Sequence, residues 1–356
     1  MQPCRSISKD ILKIDPALEA ERIVAAIREI VLNQLKRKGA VIGASGGIDS
    51  SVVAFLCARA LGKDRVLVLF TPETDSSSDS LRLGRMVAEC LGARHVTEDI
   101  TPILRASGCY ERRDEAVRRV IPEYHEGHRC KIILPNLLEA NRYSIFSVVV
   151  QSPLGEVKKV RLTAEAYLGI VAATSFKQRT RKMVEYYYAD LHQYAVAGTP
   201  NRLEYDQGFF VKNGDGAADL KPIAHLYKSQ VYQLATYLGV PAEIQSRPPT
   251  TDTYSLEQSQ EEFYFSLPLQ QMDLCLYGKN EGISAELLAP ELGLEKEQVE
   301  RVYALIDAKR KATRYLHIPA LLVEPVEGVG KMPTLEKGTD AGVLAEGVQC
   351  LTRSPN

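Results

Sequence analysis

No run of about 20 apolar residues occurs in this chain, and its N-terminus, MQPCRSISKD, lacks the apolar core of a signal peptide. A membrane span and export are therefore not expected, and a cytoplasmic location follows by default. Nor is there an excess of charge of one sign. Lysine and arginine number 44 against 45 aspartates and glutamates, a net charge of −1 that gives no pull toward nucleic acid or a membrane surface. The seven cysteines (Cys4, Cys57, Cys90, Cys109, Cys130, Cys275, Cys350) are odd in number and include no C-x-x-C pair. That argues against a disulfide framework, a zinc ribbon and a dithiol centre. Cys57 and Cys90 fall on apolar helix faces and are expected to be buried.

What is present is an alternation of strands and helices. Asp15-Pro16 reads as an N-cap followed by proline at the first helical position, with Ile23, Ile27, Ile30 and Val31 on one face. A short apolar strand, 40–44, leads through a glycine turn to a helix over 50–61. The strand 65–70, the helix 78–91 with Leu83, Met86, Val87 and Cys90 inward, and the strand 94–97 continue the pattern. This predicts an α/β fold, a doubly wound, mostly parallel sheet with helices on both faces. Residues 100–160 break the rhythm with a β-rich insertion, a hairpin of 147–151 and 156–162 around Pro153-Leu154-Gly155 and a possible lid. The alternation resumes with a long helix at 163–192, a strand at 194–198, a helix at 228–238 and C-terminal helices near 284–292 and 295–313. A single domain over 1–326 is expected, followed by a loosely ordered tail over 327–356.

Ligands of such sheets bind at the carboxyl ends of the strands, so the turn after Ala44 is the first place to look. It reads Ser45-Gly46-Gly47-Ile48-Asp49-Ser50-Ser51. Two glycines permit a tight turn whose N–H groups face an anion, and the following helix brings its positive end to the same point. Ser45, Ser50 and Ser51 add hydroxyls. Asp49, an acid where phosphate is expected, makes sense as a ligand of a bridging Mg2+. The sequence G-x-x-x-x-G-K-[ST] is absent and the loop has no lysine. Such a cradle suits an enzyme that releases the β- and γ-phosphates together as pyrophosphate. S-G-G-x-D-S resembles the loop of the ATP pyrophosphatases, which activate an oxygen as an AMP ester and then let nitrogen or sulfur displace AMP.

A second block narrows the resemblance. Gly198-Thr199-Pro200-Asn201-Arg202-Leu203-Glu204 is followed by Gly208 through Asp219, then Pro222-Ile223, Leu226 and Lys228. The pattern is similar to that of the NAD synthetases, with Arg179 and Arg181 at their R-x-R and Pro249-Thr250-Thr251-Asp252 at their P-T-A-D. Arg202 stands where lysine is usual, Val211 where threonine is usual, and Thr251 replaces alanine. The resemblance implies that the carboxylate of nicotinic acid adenine dinucleotide attacks the α-phosphorus of ATP, and that ammonia then converts the NAD-adenylate to NAD and AMP. Asp49, Glu204, Lys212 and Lys228 are the expected catalytic residues. Glu204 would share Mg2+ with Asp49, and the two lysines would grip phosphates. Thr199 and Thr250 join Ser45, Gly46, Gly47, Ser50 and Ser51 in binding ATP. Arg179 and Arg181 are expected to bind substrate, and Asp215 and Asp219 to contact the dinucleotide or the incoming ammonia.

The resemblance also implies a homodimer. A glutaminase domain would not fit ahead of residue 15, so free ammonia is the expected nitrogen donor, with a separate glutaminase partner the other option. The rival within the superfamily amidates or thiolates another adenylated substrate. A sulfur-inserting branch should carry paired cysteines and a basic nucleic-acid face, and neither is present. A non-catalytic nucleotide binder should have lost Asp49 or Glu204, and both are retained.

Overall fold

The computed structural model describes residues 9–134, 146–251, 253–265 and 267–327. The chain divides into two compact units, Met1–Ile318 and Pro319–Asn356. The expected tail lies, from residue 328 on, outside the described residues, as does Asp252.

The first unit begins with α1 (Pro16–Arg28), whose Asp15 cap accepts from the N–H groups of Ala17 and Leu18 at 3.0 and 3.1 Å. The helix continues as a wider turn over Glu29–Gln34, because no glycine or proline intervenes before Gly39. Next come β1 (Ala40–Gly43), α2 (Ile48–Leu61), β2 (Val66–Phe70), α3 (Ser78–Leu91) and β3 (Arg94–Thr97). The segment 100–160 holds α4 (Thr101–Ala106) and α5 (Cys109–Arg118), then β4 (Arg129–Ile133), β5 (Ser147–Gln151) and β6 (Val157–Arg161). They are followed by α6 (Ala164–His192), β7 (Ala195–Val196), α7 (Arg202–Gln207), α8 (Lys228–Leu238) and α9 (Ala242–Ser246). The last three helices are α10 (Leu269–Asn280), α11 (Ala285–Leu292) and α12 (Lys296–Thr313).

The expected parallel sheet is present, in the order β3-β2-β1-β7 with every pairing parallel. β1, β2 and β7 are apolar on both sides, as a doubly covered sheet requires, whereas the edge strand β3 (RHVT) is largely exposed. Ile42, Val66, Val68 and Phe70 join the core under α1, α2 and α8. Val41, Leu67 and Leu69 pack with Val184 and Ala189 of α6 on the other face. The expected hairpin is β5–β6, and β4 completes a separate antiparallel sheet. This sheet rests on an apolar cluster that includes Ala116 and Val117 of α5 and Ile170 of α6. Of the two helices ahead of it, α5 is hidden in sequence by its charge, reading CYERRDEAVR, and α4 by its length of only six residues.

One expectation is corrected. Cys57 is buried, its thiol pushed up by burial to about 12, whereas Cys90 is exposed. Cys90 stands one position from the end of α3, just past the face that Leu83 and Val87 bury. Among the described residues no helix is long and apolar enough to cross a membrane.

Candidate active site

A cavity of about 410 Å3 opens where β1, β2 and β7 end, lined by Gly43, Phe70 and Ala197 together with the loops that follow them. The β1 loop is held by its own side chains. Ser50 Oγ and Ser51 Oγ donate to the Gly47 carbonyl at 3.1 and 2.8 Å, and the Gly47 N–H donates to Ser45 Oγ at 3.3 Å. Only one of the two glycines is required by conformation. Gly46 has φ +73°, and a Cβ there would lie 2.5 Å from the Ser80 carbonyl. Gly47 is extended, and a Cβ there would meet only Ser45 Oγ, so its smallness leaves room for an approaching ligand. Ser45, Gly47, Asp49 and Ser50 line the cavity at the N-terminus of α2. Gly46 and the buried Ser51 shape the loop from behind.

Opposite the loop, Asn201 organises the acids. Its side chain caps α7 by accepting from Leu203 N at 2.9 Å and Glu204 N at 3.2 Å, while Glu204 Oε2 accepts from Asn201 N at 3.1 Å. Asn201 Nδ2 also donates to Asp49 Oδ1 at 3.1 Å, joining two loops 152 residues apart. The second oxygen of Asp49 is ion-paired with the buried Lys228. Asp273 fixes the start of α8, accepting from Lys228 N at 3.1 Å and Ser229 N at 2.7 Å. Burial raises the Asp273 carboxyl to about 6.

Glu204 is the most perturbed acid of this group. Burial and then the nearby Asp49 raise its carboxyl to about 7, against the opposing pull of Lys228 and hydrogen bonds from Asn201 and Gln260. Below about pH 7 the free protein therefore holds Glu204 neutral, and above it Glu204 is negative beside the Asp49–Lys228 ion pair. A divalent cation added to the free protein should find a more favourable site here as pH rises through about 7. Titrating Mg2+ into the free protein from about pH 6 to 8.5 checks this, and a flat dependence across that range contradicts it.

Thr199, Glu204, Lys228, Thr250, Arg181 and Asp215 also line the cavity. Besides Gly46 and Ser51, three further residues named from the sequence do not line it. Lys212 donates to the carbonyls of Tyr315 and Ile318 at 2.7 and 2.8 Å, so the end of the first unit has taken its ammonium. Arg179 is turned to the Lys212 carbonyl at 3.3 Å. Asp219 accepts from Val196 N at 2.7 Å and from Tyr186 Oη at 3.3 Å, which makes it a backbone anchor beside β7. Asn201 carries no role in the sequence pattern, although Asn-x-x-Glu is a legible capping box. Gln260, which resembles part of the family's segment before the last helices but has no role legible in sequence, donates to Glu204 Oε1 at 2.9 Å. The cavity-lining Lys182 and Glu185 are not signalled by the sequence at all.

A parallel sheet that presents a helix N-terminus, an acid–lysine pair and a second buried carboxylate to one cavity is the frame of an enzyme that cleaves a nucleoside triphosphate. The family described as NAD synthase matches residues 19–122 and 148–314, and the chain belongs to that family. It is accordingly an ATP-dependent, amide-forming ligase. The NH(3)-dependent NAD(+) synthetase of Rhizobium meliloti is 61% identical over 322 residues, spanning 90% of this chain and 96% of that protein. The one from Thermotoga neapolitana is 36% identical over 303 residues, spanning 84% and 94%. The solved structure of NMN synthetase from Francisella tularensis shares the fold, with a TM-score of 0.60 at 23% identity over 87% of this chain and 99% of that one.

Proposed function

We propose that this enzyme amidates nicotinic acid adenine dinucleotide to NAD with free ammonia, converting ATP to AMP and pyrophosphate. The observation that carries the reading is the meeting of Asp49, Lys228 and Glu204 in one cavity with the N-terminus of α2. The names of the relatives, matched over nearly their whole length, support ammonia as the donor.

In this reading the N–H groups of the β1 loop and the α2 terminus bind the triphosphate, and Lys228, held by Asp49, neutralises phosphate charge. Asp49 and Glu204 suit Mg2+, which is bound by one or two carboxylates with substrate phosphates supplying further ligands. The fit is supported by Glu204 itself, since a carboxyl raised by burial and then by a neighbouring acid is relieved by a divalent cation. When bound, Mg2+ would stabilise charge on the departing pyrophosphate. A carboxylate oxygen of the dinucleotide forms the bond to the α-phosphorus as the α–β bridging bond breaks. Ammonia then forms the C–N bond, AMP leaves with that oxygen, and one proton is lost. The aromatic wall of Phe209, Phe210 and Tyr264 keeps water from the adenylate, which water would hydrolyse.

A homodimer is part of the proposal. Met183, Tyr187 and Leu191 recur at four-residue spacing on α6 and are 56, 61 and 59% exposed, a stripe suited to a second copy. Sedimentation should give twice the chain mass, and Tyr187→Asp should shift it toward the single chain; a single-chain mass for the wild type would remove this part.

The test of the reaction combines purified protein, Mg-ATP, the dinucleotide and either ammonium chloride or glutamine. NAD is expected with ammonium and not with glutamine. No NAD with either donor overturns the substrate; NAD with glutamine alone overturns the donor.

A further inference from the structure

Lys182 and Glu185 lie one turn apart on α6, 2.5 Å between Nζ and Oε2, with side chains only 7 and 9% exposed. Both line the cavity, and neither belongs to the motifs that define the ATP side. The site is built to admit them. A Cβ at Gly43, the last residue of β1, would lie 2.5 Å from Glu185 Oε1. A buried pair of this kind contributes little net stability, because desolvating two charges cancels most of their attraction. An ammonium has three donors, and among the described residues Lys182 uses one, on Glu185.

The surroundings of the pair assign it to one end of the cavity. Lys182 and Arg181 pull the Asp215 carboxyl downward against the stronger upward push of burial. Lys182 also helps burial lower the Lys221 ammonium. The largest influences on Glu204, by contrast, are burial, Asp49, Lys228, Asn201 and Gln260. Among the described residues, four cations line the cavity. Lys228 is on Asp49 and Arg247 is on Ser80, whereas Lys182 and Arg181 act on Asp215, away from the acids of the β1 loop side.

We propose that Lys182, aimed by Glu185, binds an anionic oxygen of the dinucleotide, and that the pair is a determinant of specificity for the acceptor rather than for ATP. This rests on the reaction proposed above. The oxygen belongs either to the nicotinate carboxylate or to the dinucleotide's own pyrophosphate. NAD, which keeps the pyrophosphate and lacks the carboxylate, separates the two.

The experiment compares wild type, Lys182→Met, Lys182→Arg and the double variant Lys182→Met/Glu185→Leu. It reads KM for each substrate and inhibition by NAD. Lys182→Met should raise the dinucleotide KM roughly ten- to hundredfold, the usual loss for a hydrogen bond to a charged group, with the ATP KM unchanged. Lys182→Arg should recover much of it. The double variant leaves no unpaired carboxylate, so it carries the measurement if Lys182→Met does not fold, and it should show the same defect. NAD inhibition weakened in step identifies the pyrophosphate; NAD inhibition unchanged identifies the carboxylate. A shift in the ATP KM instead, no shift, or a double variant with wild-type dinucleotide KM would each overturn the proposal. A wild type that makes no NAD would fail the substrate reading itself, before Lys182 is in question.

Discussion

Asp49→Ala is expected to lower kcat/KM for NAD formation by about a thousandfold or more, while the protein stays folded. The chemical loss is large because one side chain has two duties. Asp49 holds the Lys228 ammonium, and in the proposed reaction it also ligates the metal. Removing a single group that stabilises transition-state charge typically costs about 10²–10³-fold, roughly 3–4 kcal/mol, and here two such effects are lost together. The structural loss is smaller because Lys228 keeps the attraction of Glu204 nearby, and the Asp49 side chain is 15% exposed. Steady-state turnover and a melting curve on the same sample separate the two. Activity within tenfold of wild type would show that Asp49 serves only to pair Lys228.

Lys177→Met should produce the largest loss of stability, about 3–5 kcal/mol, or roughly 5–10 °C in Tm. Lys177 is wholly buried on α6, its ammonium 3.0 Å from Glu73 Oε1, 2.6 Å from Asp75 Oδ2 and 2.7 Å from the Thr253 carbonyl. Arg113 reaches Asp75 at 2.5 Å, and Tyr110 Oη donates to Glu73 at 2.8 Å. Burial pushes the Asp75 carboxyl up, but Lys177 and Arg113 together hold it below the ordinary carboxylate value. Methionine in place of Lys177 leaves Glu73 buried with no cation on it, and that unpaired charge is the source of the cost. The network also ties the loop after β2, which brings Thr71, Ser76 and Ser77 to the cavity, to the loop carrying Thr250 and Thr253. The ATP KM should therefore rise with the loss of stability. Arg82→Ala is the control. Its partner Glu243 is half exposed, as Arg82 itself is, so the change should cost under about 1 kcal/mol. A melting temperature for Lys177→Met within about 2 °C of wild type would contradict this role of the network.

Asp49 and Lys177 mark what a sequence makes legible. The β1 loop is readable because its chemistry is contiguous, a strand, a glycine turn and a helix start carrying serines and an acid within seven residues. The sheet is readable from apolar runs of the right length between amphipathic helices. Side-chain direction is not. Lys212 and Lys228 belong to one stretch of motif, yet the first is taken by carbonyls 103 and 106 residues away and the second by Asp49 at a separation of 179. Asp215 and Asp219, one helical turn apart in number, part in the same way, one into the cavity and one onto the backbone of β7. Lys182 and Glu185 read in sequence as an ordinary surface pair at three-residue spacing, and only the close approach of Gly43 reveals that they are inside. The Lys177 network is invisible because its partners lie 102 and 104 residues away on a different element.

In the proposed reaction everything depends on the acceptor's carboxylate attacking the α-phosphorus of ATP in this cavity. Dinucleotide labelled with 18O in both carboxylate oxygens tests that step without relying on any substitution. After complete conversion with unlabelled ATP and ammonium, one 18O should be found in AMP, one in the amide of NAD and none in pyrophosphate. Label in inorganic phosphate or pyrophosphate, or unlabelled AMP, would mean that the carboxylate is not activated at the α-phosphorus, and would contradict the proposed reaction.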